Sequence, residues 1–391
     1  APSRVKAPCP YYPECGGCQL QHINYAEQLN HKTRLVKETL SRLGNISPEI
    51  VKDTLGMDNP WHYRNKAQFQ VVPQDKGMAV GFFASGTHKA VDIDNCLLQQ
   101  EEINKALKAL KKVISSLEIP PYNRKTGKGI LRQAVLKTSS STGEVMIILV
   151  TKGKKLPSRK RIVTGLRKNI PNLVSLVQNI NNHRVKETMG PEDILLYGRP
   201  YIEERIGDLN YIVSPQAFFQ VNPIQTHILY DLVLNKARLR GTEIVMDLYC
   251  GTGSIGIFTA SQAARIYGIE SNPSALEDAR TNTRLNQINN IKLYEGKVEK
   301  ILPLLTRKGV KPHVVILDPP RQGCDRQLVH QLLKTKPPKI IYVSCNPSTL
   351  ARDLAILTKT SYEAVNIQPI DMFPQTSHVE CVAYVRKING D

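Results

Sequence analysis

The sequence predicts an α/β protein whose C-terminal part forms an open, mostly parallel sheet covered by helices. Three observations predict this architecture. From Glu243 onwards, short apolar runs alternate with helical patterns, as in a chain of βαβ units. From Trp61, shorter strands of alternating polarity are mixed with helical stretches, which indicates a separate α+β unit. Ahead of both, Cys9, Cys15 and Cys18 lie close together.

At 391 residues, the chain is too long for one ordinary hydrophobic core, so we expect two or three domains. We place an N-terminal cysteine loop with a linking helix at residues 1–45. A central α+β domain follows at 46–214, and an α/β domain at 215–391. The central domain carries Cys96, the one other cysteine in the N-terminal half of the chain.

The composition is that of a globular protein, with 41% hydrophobic and 22% charged residues. No apolar run is long enough to span a bilayer, and no charged-then-apolar leader opens the chain. We therefore expect a cytoplasmic monomer without a membrane partner. The chain starts at Ala1 without an initiator methionine, which suggests that it was processed or trimmed.

The chain is strongly basic, with a net charge of +19 and a pI near 9.5. From Ile103 to Lys168, 17 lysines and arginines stand against two acids, so this segment alone contributes +15 of the +19. A polyanion is the natural partner of such a segment, and nucleic acid is the first candidate. The alternative is a solvated surface without a partner. An anionic membrane fits less well because no strongly apolar face accompanies the charges.

Eight cysteines in a chain of this length do not form a disulfide framework. Cys9, Cys15 and Cys18 have the spacing C-x5-C-x2-C, and the two glycines before Cys18 let the backbone turn so that two sulfurs face one centre. With Cys96, four thiolates suit either a structural zinc ion or an iron–sulfur cluster. Zinc sites usually use two C-x-x-C pairs, and the single pair here favours the cluster.

A glycine-rich turn predicts a nucleotide-like cofactor. The stretch from Ile244 to Gly256 has the pattern of a strand, a glycine-rich turn and a helix start, and Glu270 ends the next strand. A nucleotide-binding α/β fold uses this spacing to place a carboxylate on a ribose. NAD-dependent proteins bind a pyrophosphate at the turn. Asp247 would repel a pyrophosphate but can hold a cationic amino-acid group, which favours S-adenosylmethionine over NAD.

Two further strands end in residues suited to chemistry. The strand that ends at Leu317 is followed by Asp318-Pro-Pro-Arg321, where amino-methyltransferases carry an aromatic residue in place of the arginine. The strand over Ile340 to Ser344 runs into Cys345, and Asn346-Pro347 then starts a helix. Ligands of open α/β sheets bind at this edge. The alternative for Cys345 is a packed thiol, because free cysteines are mostly buried. A final antiparallel pair closes the sheet.

Five motifs follow one another along the chain: Phe218-Phe219-Gln220-Val-Asn222, Asp247-Leu-Tyr249-Cys-Gly251-Thr-Gly253, Asp318-Pro-Pro-Arg321, Ser344-Cys345-Asn346-Pro347 and Ser377-His378-Val379-Glu380. In this order they resemble the RNA (uracil-5-)-methyltransferase family, and the match covers nearly the whole chain. The resemblance implies a class I, Rossmann-like domain with a seven-stranded sheet that uses S-adenosylmethionine.

The N-terminal cysteines look like those of the branch of this family that methylates 23S ribosomal RNA and carries a [4Fe-4S] cluster. By that resemblance, Cys9, Cys15, Cys18 and Cys96 would be the cluster ligands, and the tRNA branch lacks them. Many members begin with a small oligonucleotide-binding barrel, the TRAM domain. Because this chain starts at the cysteines, that module is absent or was removed.

The resemblance also implies the roles of six residues. Cys345 would add to C6 of uracil, and Glu380 would remove the proton from C5 after methylation. Cys381, next to Glu380, should face the other way in the strand. Gln220, Tyr249, Glu270 and Asp318 would bind S-adenosylmethionine, with Glu270 at the ribose hydroxyls, Tyr249 beside the cofactor and Asp318 near the reacting end.

Three other functions compete with methylation of a 23S uridine. The first is C5 methylation of a uridine in tRNA. The second is methylation of an exocyclic amine, which needs no cysteine. The third is a different class of protein, an RNA-binding assembly factor with a vestigial methyltransferase domain. The pairing of Cys345 with Glu380 argues against this last alternative.

Overall fold

The computed structural model describes residues 2–75, 77–183 and 189–388. The α-helices in these residues are α1 (Tyr25–Gly44), α2 (Glu101–Ser116), α3 (Arg159–Asn169), α4 (Pro223–Ala237), α5 (Ser254–Thr259), α6 (Pro273–Leu285), α7 (Val298–Arg307), α8 (Arg326–Thr335) and α9 (Pro347–Leu357). The strands are β1 (Lys66–Pro73), β2 (Met78–Phe83), β3 (Ala90–Asp92), β4 (Leu131–Thr138), β5 (Val145–Thr151), β6 (Leu173–Ile180), β7 (Glu192–Gly198), β8 (Ile202–Ile206), β9 (Leu209–Val213), β10 (Ile244–Leu248), β11 (Arg265–Glu270), β12 (Ile291–Glu295), β13 (Val314–Leu317), β14 (Lys339–Ser344), β15 (Tyr362–Ile370) and β16 (Glu380–Lys387). None of the described helices is long and apolar enough to cross a membrane.

Helix starts fall where asparagine-proline pairs predict them. Asn222, Asn272 and Asn346 are N-caps whose side chains accept backbone N–H groups of the first turn of α4, α6 and α9. A proline follows each cap at the first helical position, where its missing N–H costs nothing. The helix predicted after Cys345 is therefore confirmed, and it fixes the point at which β14 ends.

The first sheet has the strand order β3-β2-β1-β4-β5-β6-β7. Its neighbours are antiparallel except β5 and β6, which run parallel. All of β5 is buried, and its side chains alternate between two cores. Ile147 and Leu149 pack with residues of α2 and α3. Met146, Ile148 and Val150 pack on the other face, in a core shared with the second sheet.

The second sheet has the order β12-β11-β10-β13-β14-β16-β15 and confirms the predicted seven-stranded α/β architecture. The five strands from β12 to β14 are parallel, and β16 is antiparallel to both of its neighbours. The chain changes direction across the sheet at β10, which creates the crevice where such folds bind ligands. The carboxyl ends of β10, β11, β13 and β14 and the first residue of β16 share this edge.

The long N-terminal helix α1 packs on the second sheet although it lies far from it in sequence. Val36 and Leu40 are fully buried in one core with Ile340 and Tyr342 of β14. A buried ion pair adds to this contact, because Nζ of Lys32 lies 2.5 Å from Oδ1 of Asp371 and both side chains are inaccessible to solvent. The helix therefore reaches the loop between β15 and β16.

The basic segment is divided between two regions of the first sheet. The lysines and arginines of α2 and α3 lie on the helices that cover the face away from the second sheet. A second group lies around Tyr122, where Arg132 and Lys152 are in cation–π contact with the ring. One member of the segment departs from the expected surface position, because Lys137 is 3% exposed. It cannot contact a polyanion.

Candidate active site at the carboxyl edge of the second sheet

The turn between β10 and α5 forms one side of the site. Tyr249, Gly251 and Gly253 all have positive φ angles, of 65°, 54° and 77°, so the backbone rather than side chains faces the crevice. A Cβ atom on Gly253 would lie 3.2 Å from Cβ of Ala279, which explains the second glycine by its close packing on α6. The turn leaves room for a ligand above Gly251, where an added Cβ would meet nothing within 4 Å.

Asp247 closes the bottom of this turn. Its Oδ2 accepts the N–H of Gly256 at 2.9 Å, and its Oδ1 is buried without a hydrogen-bond partner. Burial raises the pKa of Asp247 to about 7, although the Gly256 amide lowers it. A buried carboxylate oxygen without a partner can accept a hydrogen bond from a ligand or hold a cation. This agrees with the expectation that Asp247, near the end of β10, can hold a cationic amino-acid group.

Glu270 and Tyr249 lie beside the turn as predicted. Glu270 accepts the N–H of Gly251 at 3.0 Å and that of Asn272 at 2.7 Å, so its carboxylate lies over the turn at the end of β11. The Tyr249 hydroxyl donates to Oε1 of Glu299 at 3.0 Å. Gln220 is 7% exposed, in the loop that leads into α4.

Cys345 and Glu380 are brought together by the pairing of β14 with β16. Ser344 lies opposite Cys381 in this antiparallel pair, so the residue after β14 and the first residue of β16 are neighbours. Cys345 is half-buried and Glu380 is 3% exposed. Cys381 is fully buried in the core on the other face, as the alternation predicts.

Charges around Cys345 set the ionisation of its thiol. Burial, followed by the negative charges of Glu380 and Asp318, raises the pKa of Cys345 to about 11, although the Arg321 guanidinium lowers it. Burial and then Asp318 raise the pKa of Glu380 well above its ordinary value. Burial and then Asp247 raise the pKa of Asp318 to about 7. The positive charge of Arg321 opposes these shifts, because it lowers the pKa of both Cys345 and Glu380.

Arg321 is held at the mouth of the site by the start of α9. Its carbonyl oxygen accepts Nδ2 of Asn346 at 3.0 Å, and its Nη2 lies 3.4 Å from Nε2 of His378. The side chains of Arg321 and His378 are both exposed. Arg321 therefore stands where a base or a phosphate would enter, and the contact with His378 joins two motifs that are far apart in sequence.

The loop from Asp371 to Val379, which leads into Glu380, is held by N-terminal residues. The N–H groups of Gln19 and Leu20 donate to the carbonyl of Gln375 at 3.0 and 3.1 Å. The buried side chain of Gln28 donates its Nε2 to Oε1 of Gln375 and accepts the backbone N–H of Gln375 at its Oε1. The segment after the cysteines therefore forms a wall of the site, which the sequence did not predict.

The four N-terminal cysteines line one cavity of about 370 Å³ between the N-terminal loop and the first sheet. Cys9, Cys15, Cys18 and Cys96 are all free and half-buried. Burial raises the pKa of the Cys15 thiol to about 11 and that of Cys18 to about 12. Across the described ranges, no group of three histidine, cysteine or acidic side chains has an arrangement that could hold a single metal ion.

Comparison with known proteins agrees with this geometry. The family model described as tRNA (Uracil-5-)-methyltransferase matches residues 24–388. The chain belongs to this family. An uncharacterised RNA methyltransferase of Halalkalibacterium halodurans is 43% identical over 389 residues, which are 100% of this chain and 85% of that protein. One of Caldanaerobacter subterraneus subsp. tengcongensis is 45% identical over 385 residues, covering 98% and 85%.

A solved structure supports both the fold and the cofactor of this uracil-5-methyltransferase family member. The crystal structure of Pyrococcus abyssi tRNA (uracil-54, C5)-methyltransferase in complex with S-adenosyl-L-homocysteine is 31% identical, with a TM-score of 0.77. The match covers 95% of this chain and 86% of that one. The chain is therefore an RNA methyltransferase of the S-adenosylmethionine-dependent class. The predicted uracil-5-methyltransferase family and the use of S-adenosylmethionine are confirmed, while the 23S branch and the [4Fe-4S] cluster stay predictions.

The charge of Arg321 predicts a measurable effect on the Cys345 thiol. Because this charge lowers the thiol pKa, Arg321→Gln raises it, and less thiolate is present at any pH below about 11. We expect iodoacetamide to alkylate Cys345 about threefold more slowly at pH 9.5 in the variant. Mass spectrometry of the tryptic peptide 340–352, which contains no other cysteine, measures the rate.

The matched control is Arg326→Gln, which removes an exposed arginine at the start of α8. It should leave the alkylation rate at the parent value. Equal rates in all three proteins would show that Arg321 does not act on the thiol.

Proposed function

We propose that this protein methylates C5 of a uridine in 23S ribosomal RNA, with Cys345 as nucleophile and Glu380 as base. The observation that carries the proposal is the position of these two side chains at adjacent ends of β14 and β16. A thiol and a buried carboxyl side by side, with Asp318 and Arg321 acting on their charges, suit a reaction that needs a nucleophile and a proton acceptor in one pocket.

The chemistry explains why both residues are needed. C5 of uracil is too weak a nucleophile to take a methyl group directly. Addition of the Cys345 thiolate to C6 places electron density on C5 and makes it nucleophilic. Once C5 carries the methyl group, Glu380 takes the remaining proton from C5. The electrons of that C–H bond then restore the ring double bond, and the Cys345 sulfur leaves C6.

The ionisation of the pair fits these steps. The raised pKa of Glu380 makes its carboxylate a stronger proton acceptor than an ordinary glutamate. The Cys345 thiol, with a pKa of about 11, is mostly protonated near neutral pH until positive charge is added beside it. Arg321 supplies one such charge.

The residues at the glycine-rich turn fit S-adenosylmethionine. The open space above Gly251 and the unpaired Oδ1 of Asp247 leave room and an acceptor for it. Gln220, Tyr249, Glu270 and Asp318 would hold it, with Glu270 at the ribose. When bound, it supplies the methyl group and the positive charge of a sulfonium.

The target uridine has to leave its base stack before C6 can reach Cys345, which costs a few kcal/mol in folded RNA. Arg321 and His378 at the mouth of the site can contact the displaced base or its phosphate. The basic residues of the first sheet, including the group at Tyr122, can bind the RNA backbone further away.

Two substrate classes have support. The cysteine set supports ribosomal RNA, because it resembles that of the 23S branch. The likeness to the Pyrococcus abyssi enzyme, whose name gives uracil-54 of tRNA as its target, supports tRNA as the second candidate. The active-site residues serve either substrate, so the choice depends on the surfaces that hold the RNA.

We further propose that Cys9, Cys15, Cys18 and Cys96 hold a [4Fe-4S] cluster rather than zinc. All four line one cavity of about 370 Å³. Each cysteine of such a cluster binds a different iron, so the sulfurs need not meet at one centre, as they must around a single zinc ion.

Two buried polar atoms of the same cavity support a bound group. Arg64 and Gln99 are among the residues that line this cavity. Nε of Arg64 and Oε1 of Gln99 are buried and have no hydrogen-bond partner. Buried polar groups are rarely left unpaired. A cluster with four thiolates is negatively charged, and Arg64 would donate to it and offset that charge.

The cluster assignment predicts about four irons and four sulfides per chain in protein purified without oxygen. Cys18→Ser should lower the iron content, because it removes a ligand from the cavity. The control Cys324→Ser changes a buried cysteine in the core between α1 and the second sheet, and it should keep the iron content of the parent. Elemental analysis and absorption in the visible range provide the measurement. One zinc per chain without iron would contradict the proposal.

The covalent step predicts a trapped complex with RNA that contains 5-fluorouridine. Fluorine cannot leave C5 as a cation, so the bond between Cys345 and C6 persists. We expect a complex that resists denaturation with the parent chain and S-adenosylmethionine, and none with Cys345→Ala. Cys324→Ala, which removes a buried thiol outside the pair, should form it normally.

The same experiment distinguishes the substrates when 23S rRNA fragments and tRNA transcripts are tested separately on denaturing gels. A complex with ribosomal RNA alone supports the first proposal, and one with tRNA alone supports the second. If neither RNA forms a complex, C5 methylation of a uridine is excluded, and methylation of an exocyclic amine or a role as an assembly factor remains.

Loss of the base predicts a stalled reaction on ordinary RNA. Glu380→Gln removes the proton acceptor but leaves Cys345 in place, so methylated RNA should remain bound to the protein. We expect turnover to fall about 10²–10⁴-fold while the first methyl transfer is less affected. Tritium from the methyl group of S-adenosylmethionine would appear in a protein–RNA band. Rapid release of methylated RNA by this variant would exclude the role of Glu380.

A further inference from the structure

A buried lysine of the first sheet holds the loop that leads to the cofactor site. Lys137 is the next-to-last residue of β4 and is 3% exposed. Its Nζ donates to the carbonyl oxygens of Ser214 at 2.8 Å and Ala217 at 3.0 Å. Burial and then Lys66 lower the pKa of Lys137 well below its ordinary value; Asp278 and Asp193 oppose this shift, but neither forms a salt bridge with Lys137 within the described part of the chain.

Packing alone does not explain a lysine at this position. Lys66 lies directly opposite Lys137 in the antiparallel pair of β1 and β4. Like charges opposite each other destabilise a sheet, and a buried ammonium costs free energy when no carboxylate pairs with it. A methionine has a similar length and would fill the same space without these costs. The lysine is therefore needed for what its Nζ binds.

The backbone of Ser214 is held by one residue of the first sheet and one residue of helix α6. Lys137 of the first sheet binds its carbonyl oxygen, and Oδ2 of Asp278 on α6 accepts its N–H at 3.1 Å. Further along, Nδ2 of Asn65 donates to the carbonyl of Gln220 at 3.3 Å. The loop from Ser214 to Gln220 is thus fixed at its start by Lys137 and at its end by Asn65.

We propose that Lys137 is a positioning residue for the cofactor, because it fixes the carbonyls of Ser214 and Ala217 and thereby holds Gln220 at the S-adenosylmethionine site. The proposal rests on the proposed role of Gln220 as a cofactor-binding residue. It gives the first sheet, which carries the basic RNA-binding segment, a direct part in cofactor binding.

The interaction explains how a loop with little regular structure can present a binding residue. Residues 214–222 lie between β9 and α4 and form neither helix nor strand. An ordered binding loop costs less to fix when a ligand arrives. The two hydrogen bonds from Nζ of Lys137 to the carbonyls of Ser214 and Ala217 supply that order.

The test is the affinity of the full-length chain for S-adenosylhomocysteine, measured by isothermal titration calorimetry, which needs no RNA substrate. Lys137→Met keeps the length of the side chain and removes its donors. We expect it to weaken binding about tenfold. Its midpoint of thermal unfolding should stay at or above the parent value, because the cost of burying an amine opposite Lys66 is removed. If Lys137 had only a structural role, Lys137→Met would lower the midpoint of thermal unfolding and leave the affinity for S-adenosylhomocysteine unchanged.

A matched control is Lys339→Met. Lys339 also donates its Nζ to a backbone carbonyl, that of Ala237 at 2.7 Å, but it lies at the start of β14, away from the cofactor edge. This variant should bind S-adenosylhomocysteine like the parent. Lys137→Gln keeps one donor on a shorter side chain and should have an intermediate affinity.

The outcomes separate the inference from the proposed function. Affinity of Lys137→Met within twofold of the parent would overturn the positioning role; if that variant does not unfold cooperatively, the affinity of Lys137→Gln decides by the same criterion. Gln220→Ala with parent affinity would instead remove the proposed cofactor role of the loop. Weak binding by Lys137→Met and Gln220→Ala, with normal binding by Lys339→Met, supports both.

Discussion

The antiparallel pairing of β14 with β16 is the constraint on which the active site depends. The two catalytic candidates are 35 positions apart in sequence, and the pairing of Ser344 with Cys381 makes Cys345 and Glu380 neighbours. Side chains alternate along β16, so a slip of one residue would turn Glu380 into the core and present Cys381 instead. The core packing of Cys381, which is fully buried, specifies the register and with it the position of the base.

The edge of the second sheet holds buried acidic side chains, whose burial is unfavourable for folding but whose charge suits a cationic ligand. Asp247, Asp318 and Glu380 are buried close together, and the pKa of each is raised first by burial and then, with Asp318 and Glu380, by a neighbouring acid. Such a group of acids is typical of a site built for a cationic ligand. The sulfonium and amino groups of S-adenosylmethionine match this charge, whereas a pyrophosphate would add to the repulsion.

Polar contacts between segments that are distant in sequence hold the loops that lead to the site. Lys32 of α1 forms its buried pair with Asp371, and breaking such a pair costs about 3–5 kcal/mol because the remaining charge is unpaired. Lys137 binds the loop at Ser214 from the first sheet. These contacts place the N-terminal segment and the first sheet around one pocket, so residues that are distant in sequence contribute to the same reaction.

The elements of the second sheet were predictable because their signals are local. Apolar strands, the glycine turn and asparagine-proline caps each depend on residues within one turn or strand, and they gave the start of α6 and α9 and the ends of β11 and β14. The placement of Cys345, Glu270 and Asp318 at one edge followed from the rule that parallel strands end on the same side. The proposed role of Glu380 as the base was predicted from a family motif, since one acid at a strand start has no distinctive pattern.

Sequence by itself determined the family, the α/β class, the cofactor and the identity of the candidate nucleophile and base. Only the tertiary structure decided which residues support them: the hydrogen bonds between Gln28 and Gln375, the contact of Arg321 with His378, and the burial of Lys137. In the sequence, Lys137 is one of 17 basic residues in a segment expected on the surface. Its proposed role depends on hydrogen bonds to Ser214 and Ala217, which lie far from it in sequence. Such contacts depend on tertiary packing, which no local sequence pattern encodes.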